Sequence, residues 1–367
     1  MPELVPIDND RLLETFLRLV RIDSYHGDED RIVEVLEPML HAAGLTTEVD
    51  AHGNLIARWD ALESEAEPLM LNAHMDTVWP TPGMEPVVTD EGVASDGSSV
   101  LGADDKAGVA VIMEGVQAVA DAGLPHGPIE LVFTVGEDVG HIGSRAFDPE
   151  TIESRRGLVF DGDGPVGTVV TEGPSAEAFT AVFRGRAAHA GVEPENGVSA
   201  IAMAARAIDR MKLGRITRYT VANIGTINGG QAVNIVPPEV TLVGQARSLR
   251  PRALEQQVAH MREVMEEAAN EFGGTVEYEE TMRIDAFGFN QQNPVVLWAN
   301  RAIRAAGLEP SSVFTVGGSD AHEFNSKGIW SVMLGMGCTG AHTVEEFAPH
   351  EALRQMAQVA AQAIVVG

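Results

Sequence analysis

The sequence predicts an α/β protein made of two domains, one inserted into the other. Helix and strand patterns alternate over residues 1–174 and resume over residues 286–367, as expected for an open sheet with mostly parallel strands. Between them, residues 175–285 follow the order β-α-β-β-α-β, which is typical of a ferredoxin-like α+β domain. A chain of 367 residues also exceeds what one ordinary core supports. We therefore expect two domains with these boundaries.

The composition is that of a globular protein, with 44% hydrophobic and 22% charged residues. No run approaches 18 apolar residues, so we expect no membrane span. The first eight residues lack the basic and apolar regions of a signal peptide. The single cysteine, Cys338, fits a reducing compartment. Together these features predict a cytoplasmic protein.

The net charge of -29 argues against nucleic acid and anionic membranes as partners, because binding phosphates requires patches of Lys and Arg. Lysine is scarce, and two explanations stay open. A GC-rich genome would encode Arg in place of Lys, whereas a salt-adapted proteome would favour a strongly acidic surface.

The first part of the chain alternates helical and extended patterns. Asp8 or Asn9 is expected to cap the first helix, and Gly44 to end the second. The predicted elements are a helix over 8–20, a helix over 29–43, a hairpin over 45–58, a strand over 69–73, a loop with one short strand over 80–97, a helix from 104 to 122, and strands over 129–135 and 157–160.

A different pattern begins near residue 175 and ends near residue 285. Its predicted elements are strand 178–185, helix 196–211, strands 219–227 and 240–247, helix 251–272 and strand 275–282. The α/β pattern then returns with helices over 293–306 and 319–327, a strand over 329–334 and a closing helix over 344–366.

Acidic residues and histidines gather at the predicted strand ends, where open α/β sheets bind ligands. Strand ends carry His74, Asp76, Glu137, Asp138 and Asp161; Asp104 and Asp105 open a helix, and His342 precedes the last helix. Each residue alone is most often a cap or a turn residue. So many carboxylates in one crevice would repel one another unless a cation were present. Histidine and carboxylate without cysteine suits zinc, manganese or cobalt, and the number of groups fits two ions about 3.5–4 Å apart.

Six short stretches form an ordered set of motifs. They are 74–78 (HMDTV), 101–108 (LGADDKAG), 134–140 (TVGEDVG), 160–162 (FDG), 317–321 (GGSDA) and 342–346 (HTVEE). In this order, and over nearly the whole chain, they resemble the motifs of the M20 metallopeptidases and amidohydrolases, and most closely those of the peptidase T-like aminopeptidase subgroup.

The resemblance implies a zinc-exopeptidase-like catalytic domain holding two divalent ions. Asp104 would bridge both ions; His74 and Asp161 would complete one site, and Asp138 and His342 the other. It also implies a cis peptide bond after Asp104. The family usually has glutamate where this chain has Asp138, which is shorter by one methylene group. Aspartate at position 161 is similar to the aminopeptidase-like branch.

Two further residues have implied catalytic roles. Asp76 would hydrogen-bond the ring nitrogen of His74 that faces away from the metal, which fixes the tautomer. Glu137 would be the general base that takes a proton from the attacking water and passes it to the leaving amine.

The inserted domain carries residues similar to the family's substrate-binding positions. His189 would reach into the active site of a partner subunit in a homodimer formed through this domain. By residue type alone, His189 is more simply a turn histidine, and Arg247 a strand-edge surface charge. The implied substrate-binding residues are His189, Asn234, Arg247, Gly318 and Ser319.

We therefore expect two-metal hydrolysis of short peptides by an aminopeptidase. The alternatives are another M20 amidohydrolase (a carboxypeptidase, dipeptidase or N-acyl-amino-acid deacylase), a metal-dependent binding protein without catalysis, and a metal-free dimeric scaffold. Lys106 and Asp320 receive no role. The histidines outside these motifs are interpreted as structural, and His141, four residues after Glu137, is the one whose interpretation stays most open.

Overall fold

A computed structural model describes residues 4–367, which form two compact units. Residues 4–171, 288–315 and 319–367 form the first unit, and residues 172–287 and 316–318 form the second. Residues 1–3, which belong to the first predicted domain and to the stretch judged for a signal peptide, lie outside the described residues. None of the helices within residues 4–367 has both the length and the hydropathy that crossing a membrane requires.

The first unit contains most of the helices and strands. Before the insertion they are α1 (Asn9–Val20), α2 (Asp30–Ala42), β1 (Thr46–Val49), β2 (Leu55–Trp59), β3 (Leu69–His74), β4 (Val87–Val88), β5 (Gly92–Ala94), α3 (Ala103–Ala122), β6 (Ile129–Thr134), α4 (Ile142–Ala146), β7 (Arg156–Gly162) and β8 (Thr168–Gly173). The second unit contains β9 (Ser175–Arg184), α5 (Ala200–Arg210), β10 (Gly214–Arg215), β11 (Thr220–Gly229), β12 (Glu239–Ser248), α6 (Pro251–Phe272) and β13 (Thr275–Ile284). After it come β14 (Phe287–Gly288), α7 (Pro294–Ala305), β15 (Ser311–Phe314), α8 (Asp320–Ser326), β16 (Trp330–Gly335), β17 (Phe347–Pro349) and α9 (His350–Val365).

The main sheet of the first unit is mixed, with a parallel centre. Its strand order is β1-β2-β6-β3-β7-β16-β8-β14, and β15 pairs with β8. Strands β6, β3, β7 and β16 are parallel to one another, whereas β2 pairs antiparallel with β6 at one side and β8 pairs antiparallel with β16 at the other. Every residue of β3 and β6 is buried, as expected for parallel strands covered on both faces.

The strand register brings the chemically important residues to one edge of this sheet. His74 ends β3 directly opposite Thr134, the last residue of β6. Asp161 is the last residue but one of β7, which is parallel to β3, so it lies at the same edge of the sheet. The carboxyl ends of the central strands therefore deliver the predicted ligands side by side.

The second unit has the ferredoxin-like arrangement that the sequence predicts. Its sheet runs β10-β11-β12-β9-β13 and is antiparallel at each pairing. Helices α5 and α6 cover one face, and buried residues of the sheet and helices, among them Phe179, Phe183, Met203 and Met261, form a separate core.

Several element boundaries differ from the sequence prediction. The closing helix begins at His350 and not at residue 344, because Phe347–Pro349 pair antiparallel with β5 and residues 340–346 form a turn. The segment 80–97 holds two short strands and not one. Elements α4, β8 and β15 are absent from the prediction, since each is short and carries little hydrophobic periodicity.

Gly115 lies where α3 packs closely against α9. A Cβ atom at Gly115 would lie 2.8 Å from the Cβ of Ala360 and 2.9 Å from the backbone nitrogen of Ala361. Alanine normally stabilises a helix by about 1 kcal/mol relative to glycine. We expect Gly115→Ala to destabilise the protein by about 1–3 kcal/mol instead, because overpacking outweighs helix propensity. Denaturant unfolding measures this difference.

The control is the double variant Gly115→Ala with Ala360→Gly, compared with each single change. If helix packing is the cause, the double variant loses less stability than the sum of the two single variants. Additive losses, or a stabilised Gly115→Ala variant, would contradict this view of the packing.

Candidate metal centre

The first candidate site forms around His74 at the end of β3. The His74 ring is 1% exposed, and its Nε2 atom lies 3.0 Å from Oδ1 of Asp104 and 3.9 Å from Oδ1 of Asp161. Its Nδ1 atom lies 3.2 Å from Oδ1 of Asp76. One nitrogen of His74 therefore faces two candidate ligands, and the other faces the carboxylate expected to orient the ring.

The second candidate site shares Asp104 with the first. Nε2 of His342 lies 3.1 Å from Oδ2 of Asp104 and 2.9 Å from Oδ1 of Asp138. Asp104 thus presents one oxygen to each histidine. Although Asp138 is shorter than the family's usual glutamate, its carboxylate reaches the cluster.

These groups are close enough to hold metal ions together. Ligand atoms lie within 4.8 Å of one another in two groups that share Asp104, namely His74 with Asp104 and Asp161, and Asp104 with Asp138 and His342. A third group joins His74, Asp76 and Asp138. The structure thus brings together all five residues expected to bind metal.

The electrostatics of the site are dominated by crowded, buried carboxylates. Burial and the charge of neighbouring carboxylates raise the pKa of Asp161 well above its usual range. Burial opposes the ionisation of Asp104, yet hydrogen bonds from His342 and His74 hold its pKa below its usual value. The carboxylates of Asp104 and Asp138 raise the pKa of His342 to about 10. Such a cluster is stabilised when positive charge is added.

The donor atoms fit divalent cations. Oδ2 of Asp138 is buried and has no hydrogen-bond partner among residues 4–367. A buried, unpaired carboxylate oxygen is costly unless a cation or a donor satisfies it. The oxygen and imidazole donors suit zinc, manganese or cobalt, whereas no thiolate lies in any of the groups.

Asp76 links the end of β3 to the segment that follows β6. Besides facing His74, its carboxylate accepts hydrogen bonds from the backbone N–H groups of Glu137, at 2.9 Å, and Asp138, at 3.2 Å. Glu137 follows β6 and is 9% exposed. Burial and the charge of Asp161 raise the pKa of Glu137 well above its usual range. A carboxyl group with a raised pKa is suited to accept and return a proton near neutrality.

Asp105 supports the site without a role predicted from the sequence. The peptide bond between Asp104 and Asp105 is cis, which confirms the expectation drawn from the resemblance. Oδ2 of Asp105 accepts from the N–H of His74 at 3.2 Å, and Oδ1 accepts from the N–H of Gly108 at 3.1 Å. The acidic pair itself is the only sequence signal for this role.

Glu346 is a second supporting residue that the sequence did not reveal. Its carboxylate accepts from the N–H groups of Gly102, at 2.7 Å, and Asp104, at 2.9 Å. Burial raises the pKa of Glu346 to about 7. Because Glu346 follows His342 by four residues, these bonds tie the loop of one candidate ligand to the turn that carries another.

Asp320 and Lys106 have structural partners within the described chain. Asp320 accepts hydrogen bonds from the hydroxyl groups of Thr134 and Ser144. Lys106 is fully buried, and its Nζ atom donates to the carbonyl oxygen of Ile22 at 2.6 Å. Burial lowers the pKa of Lys106 to about 7.

Four of the five predicted substrate-binding residues belong to the second unit. His189 and Asn234 are exposed and lie on neighbouring segments, since the N–H of Ala190 donates to the carbonyl of Asn234. Arg247 donates from Nε to Gln245 and from Nη1 to the carbonyl of Val316. Gly318 is the fourth residue in the second unit. Ser319 belongs to the first unit, where it is buried and caps the N-terminus of α8.

A mixed α/β unit with two carboxylate–histidine groups sharing an aspartate is the arrangement of a two-metal hydrolase. The family model for peptidase family M20/M25/M40 matches residues 70–365. The chain belongs to this family.

Relatives and solved structures agree with this assignment. The uncharacterized protein YqjE of Bacillus subtilis is 39% identical over 361 residues, which cover 96% of this chain and 97% of that protein. The aminopeptidase PepT of Bacillus cereus is 39% identical, with a TM-score of 0.87 over 98% of this chain and 99% of that structure. A tripeptidase of Staphylococcus aureus is 39% identical, with a TM-score of 0.91 over 98% of both chains. The predicted fold class is thus confirmed.

We expect removal of divalent cations to lower the thermal stability of the protein. An ion bound only to the folded state stabilises it by mass action, and here it also offsets repulsion among buried carboxylates. Dialysis against a chelator should lower Tm by several degrees, and added zinc, manganese or cobalt should restore it. Differential scanning calorimetry measures both changes.

The matched control is Asp104→Asn, which removes the charge shared by both groups. This variant should respond much less to the chelator than the original chain. A Tm that is the same with and without chelator in the original chain would mean that the cluster holds no ion.

Proposed function

We propose that this protein is a metal-dependent aminopeptidase that releases N-terminal residues from short peptides. The observation that carries the proposal is the pair of ligand groups sharing Asp104 beside the buried carboxyl group of Glu137. The aminopeptidase and the tripeptidase to which the chain is similar at 39% identity support this choice of substrate.

The proposed centre contains two divalent ions. Zinc is the preferred metal, and manganese and cobalt are the alternatives. His74, Asp104 and Asp161 would hold one ion, whereas Asp104, Asp138 and His342 would hold the other. When bound, such ions supply Lewis-acid polarisation of an amide carbonyl and lower the pKa of a water molecule.

Glu137 acts as the general base in this proposal. Its carboxylate takes a proton from the attacking water and later donates that proton to the nitrogen of the leaving amine. Asp76 serves the same step in two ways, because it orients His74 and holds the backbone of Glu137. Burial of Glu137 favours the protonated form that the second half of the reaction needs.

We also propose different functions for the two domains. Residues 1–174 and 286–367 form the catalytic domain, and residues 175–285 form a dimerisation domain. His189 acts in the active site of the partner subunit. In support, Nδ1 of His189 accepts from the N–H groups of Gly191 and Val192, so the exposed Nε2 atom carries the proton and can donate to an oxyanion.

Substrate recognition is assigned to four further residues. Arg247 offers a guanidinium for a peptide carboxylate, and Asn234 an amide for the peptide backbone. Gly318 and Ser319 form the loop that approaches the substrate backbone, where the absence of a side chain on glycine permits close contact. We assign the protein to the cytoplasm on the basis of its single cysteine, Cys338.

We expect Glu137→Gln to lose nearly all peptide hydrolysis while it keeps its metal. Glutamine has almost the same shape as glutamate but cannot accept a proton at neutral pH. The fall in kcat should be about 10²–10⁴-fold, the usual contribution of a general base. Steady-state kinetics measure turnover, and elemental analysis should find two ions per chain in both proteins.

The control for this change is Glu345→Gln, an exposed carboxylate on the loop after His342. Its kcat should equal that of the original chain. Turnover that survives in Glu137→Gln, with full metal content, would remove Glu137 from the proposed role.

We expect free tripeptides to be cleaved, and tripeptides with a blocked C-terminus to be cleaved with a higher KM because they lack the carboxylate assigned to Arg247, whereas N-blocked tripeptides are not cleaved. An aminopeptidase needs the free amino end, and a carboxypeptidase or deacylase does not. The panel is assayed with zinc, manganese and cobalt in turn, and liquid chromatography identifies the released residue. Cleavage of N-blocked peptides would favour another M20 amidohydrolase, and no cleavage of any amide would favour a binding protein.

A further inference from the structure

His141 stands beside the proposed general base although no motif of the resemblance includes it. Its side chain is 9% exposed, and its Nε2 atom lies 3.3 Å from Oε1 of Glu137. On the other side of the ring, Nδ1 lies 3.8 Å from Oε1 of Glu323 and is a buried atom without a hydrogen-bond partner in residues 4–367. The ring therefore lies between two carboxylates, one of which is the residue proposed to move the proton.

The backbone holds His141 in a conformation that favours glycine or asparagine. Its φ is 58° and its ψ is 38°, which costs a residue with a Cβ atom about 1–2 kcal/mol. Two hydrogen bonds maintain this conformation, since His141 N–H donates to the carbonyl of Glu137 and Arg145 N–H donates to the carbonyl of His141, both at 2.8 Å. An unfavourable conformation held in this way beside a site calls for a reason in the side chain.

Glu323, which is bound by Arg145, faces the far side of the ring. Nε and Nη2 of Arg145 donate to Oε1 of Glu323 at 3.2 and 2.9 Å. Although burial opposes ionisation, the neighbouring His141 and Arg145 lower the pKa of Glu323. The ring of His322 stacks at 6.3 Å between centroids. The imidazole thus lies between Glu323 and Glu137, with the ring of His322 stacked beside it.

We propose that His141 is a positioning residue for Glu137, because its Nε2–H group donates to the Glu137 carboxylate and holds it in one orientation at the metal centre. This inference rests on the proposed function of Glu137. To act as a base Glu137 must be ionised, and an ionised carboxylate only accepts hydrogen bonds, so in that state Nε2 of His141 must carry the proton of this contact. One oxygen of Glu137 is then engaged, which leaves the other to face the reacting water.

The kinetic test is His141→Asn. Asparagine adopts the left-handed conformation readily, so the backbone is retained while the ring is lost. We expect kcat to fall about 10–100-fold, as is usual when a supporting partner of a site is removed. KM, metal content and Tm should stay within error of the original values. A loss of Tm or metal content in step with kcat would mean that His141 only supports the fold.

A double variant tests whether His141 acts through Glu137. In the Glu137→Gln background, the further change His141→Asn should not reduce the residual turnover, since the residue that it positions is already lost. Losses that multiply in the double variant would overturn the inference. His52→Asn is the matched control, because His52 is an exposed turn histidine, and its kcat should equal that of the original chain.

A measurement without turnover separates this inference from the proposed function. Proton–nitrogen NMR of protein with ¹⁵N-labelled histidine should show an Nε2–H resonance that disappears in His141→Asn. The same resonance should move upfield in Glu137→Gln, because an amide is a weaker acceptor than a carboxylate. An unmoved resonance would overturn the contact even in an active enzyme. If no peptide is cleaved while the resonance moves, the proposed function fails and the contact stands.

Discussion

The rest of the site depends on the contacts made by the buried carboxylate of Asp76. This carboxylate faces Nδ1 of His74, and it accepts from the N–H groups of Glu137 and Asp138. One side chain thereby contacts the ring of a candidate ligand on one strand and the backbone of the proposed base and of a second candidate ligand after the neighbouring strand. The parallel register that places His74 opposite Thr134 makes this possible, because the two strand ends are then adjacent.

Other buried carboxylates repeat this use of backbone donors. Asp105 accepts from the N–H of His74, and Glu346 accepts from the N–H of Asp104. Backbone N–H groups satisfy these oxygens without adding side-chain cations, so the ligand groups of His74, Asp104 and His342 remain available to a metal. The carboxylates of Asp76, Asp105 and Glu346 thus have backbone donors. The candidate ligands Asp104, Asp138 and Asp161 still repel one another, and divalent ions would relieve this repulsion.

The five candidate ligands could be predicted because the motifs that carry them resemble those of a known family. The open α/β fold gives the physical reason for three of them, since His74, Asp138 and Asp161 lie at or just after the ends of neighbouring parallel strands. Asp104 opens a helix and His342 lies in a loop, so the resemblance alone indicated these two. The supporting residues could not be predicted in the same way. Asp105 and Glu346 act through backbone groups distant in sequence, and a carboxylate that binds an N–H looks like any other acidic residue. Short elements such as α4 were missed because five residues carry too little periodicity.

Backbone conformation adds a signal that the sequence does not carry. Three residues other than glycine have positive φ among residues 4–367, namely Glu63, His141 and His342. Glu63 is exposed and belongs to none of the candidate ligand groups, so positive φ alone does not mark function. The two histidines differ from it because their rings lie within 3.3 Å of carboxylates of the centre. His141 differs from the histidines interpreted as structural because it combines two features. Its backbone has an unfavourable positive φ, and its ring contacts a carboxylate of the centre.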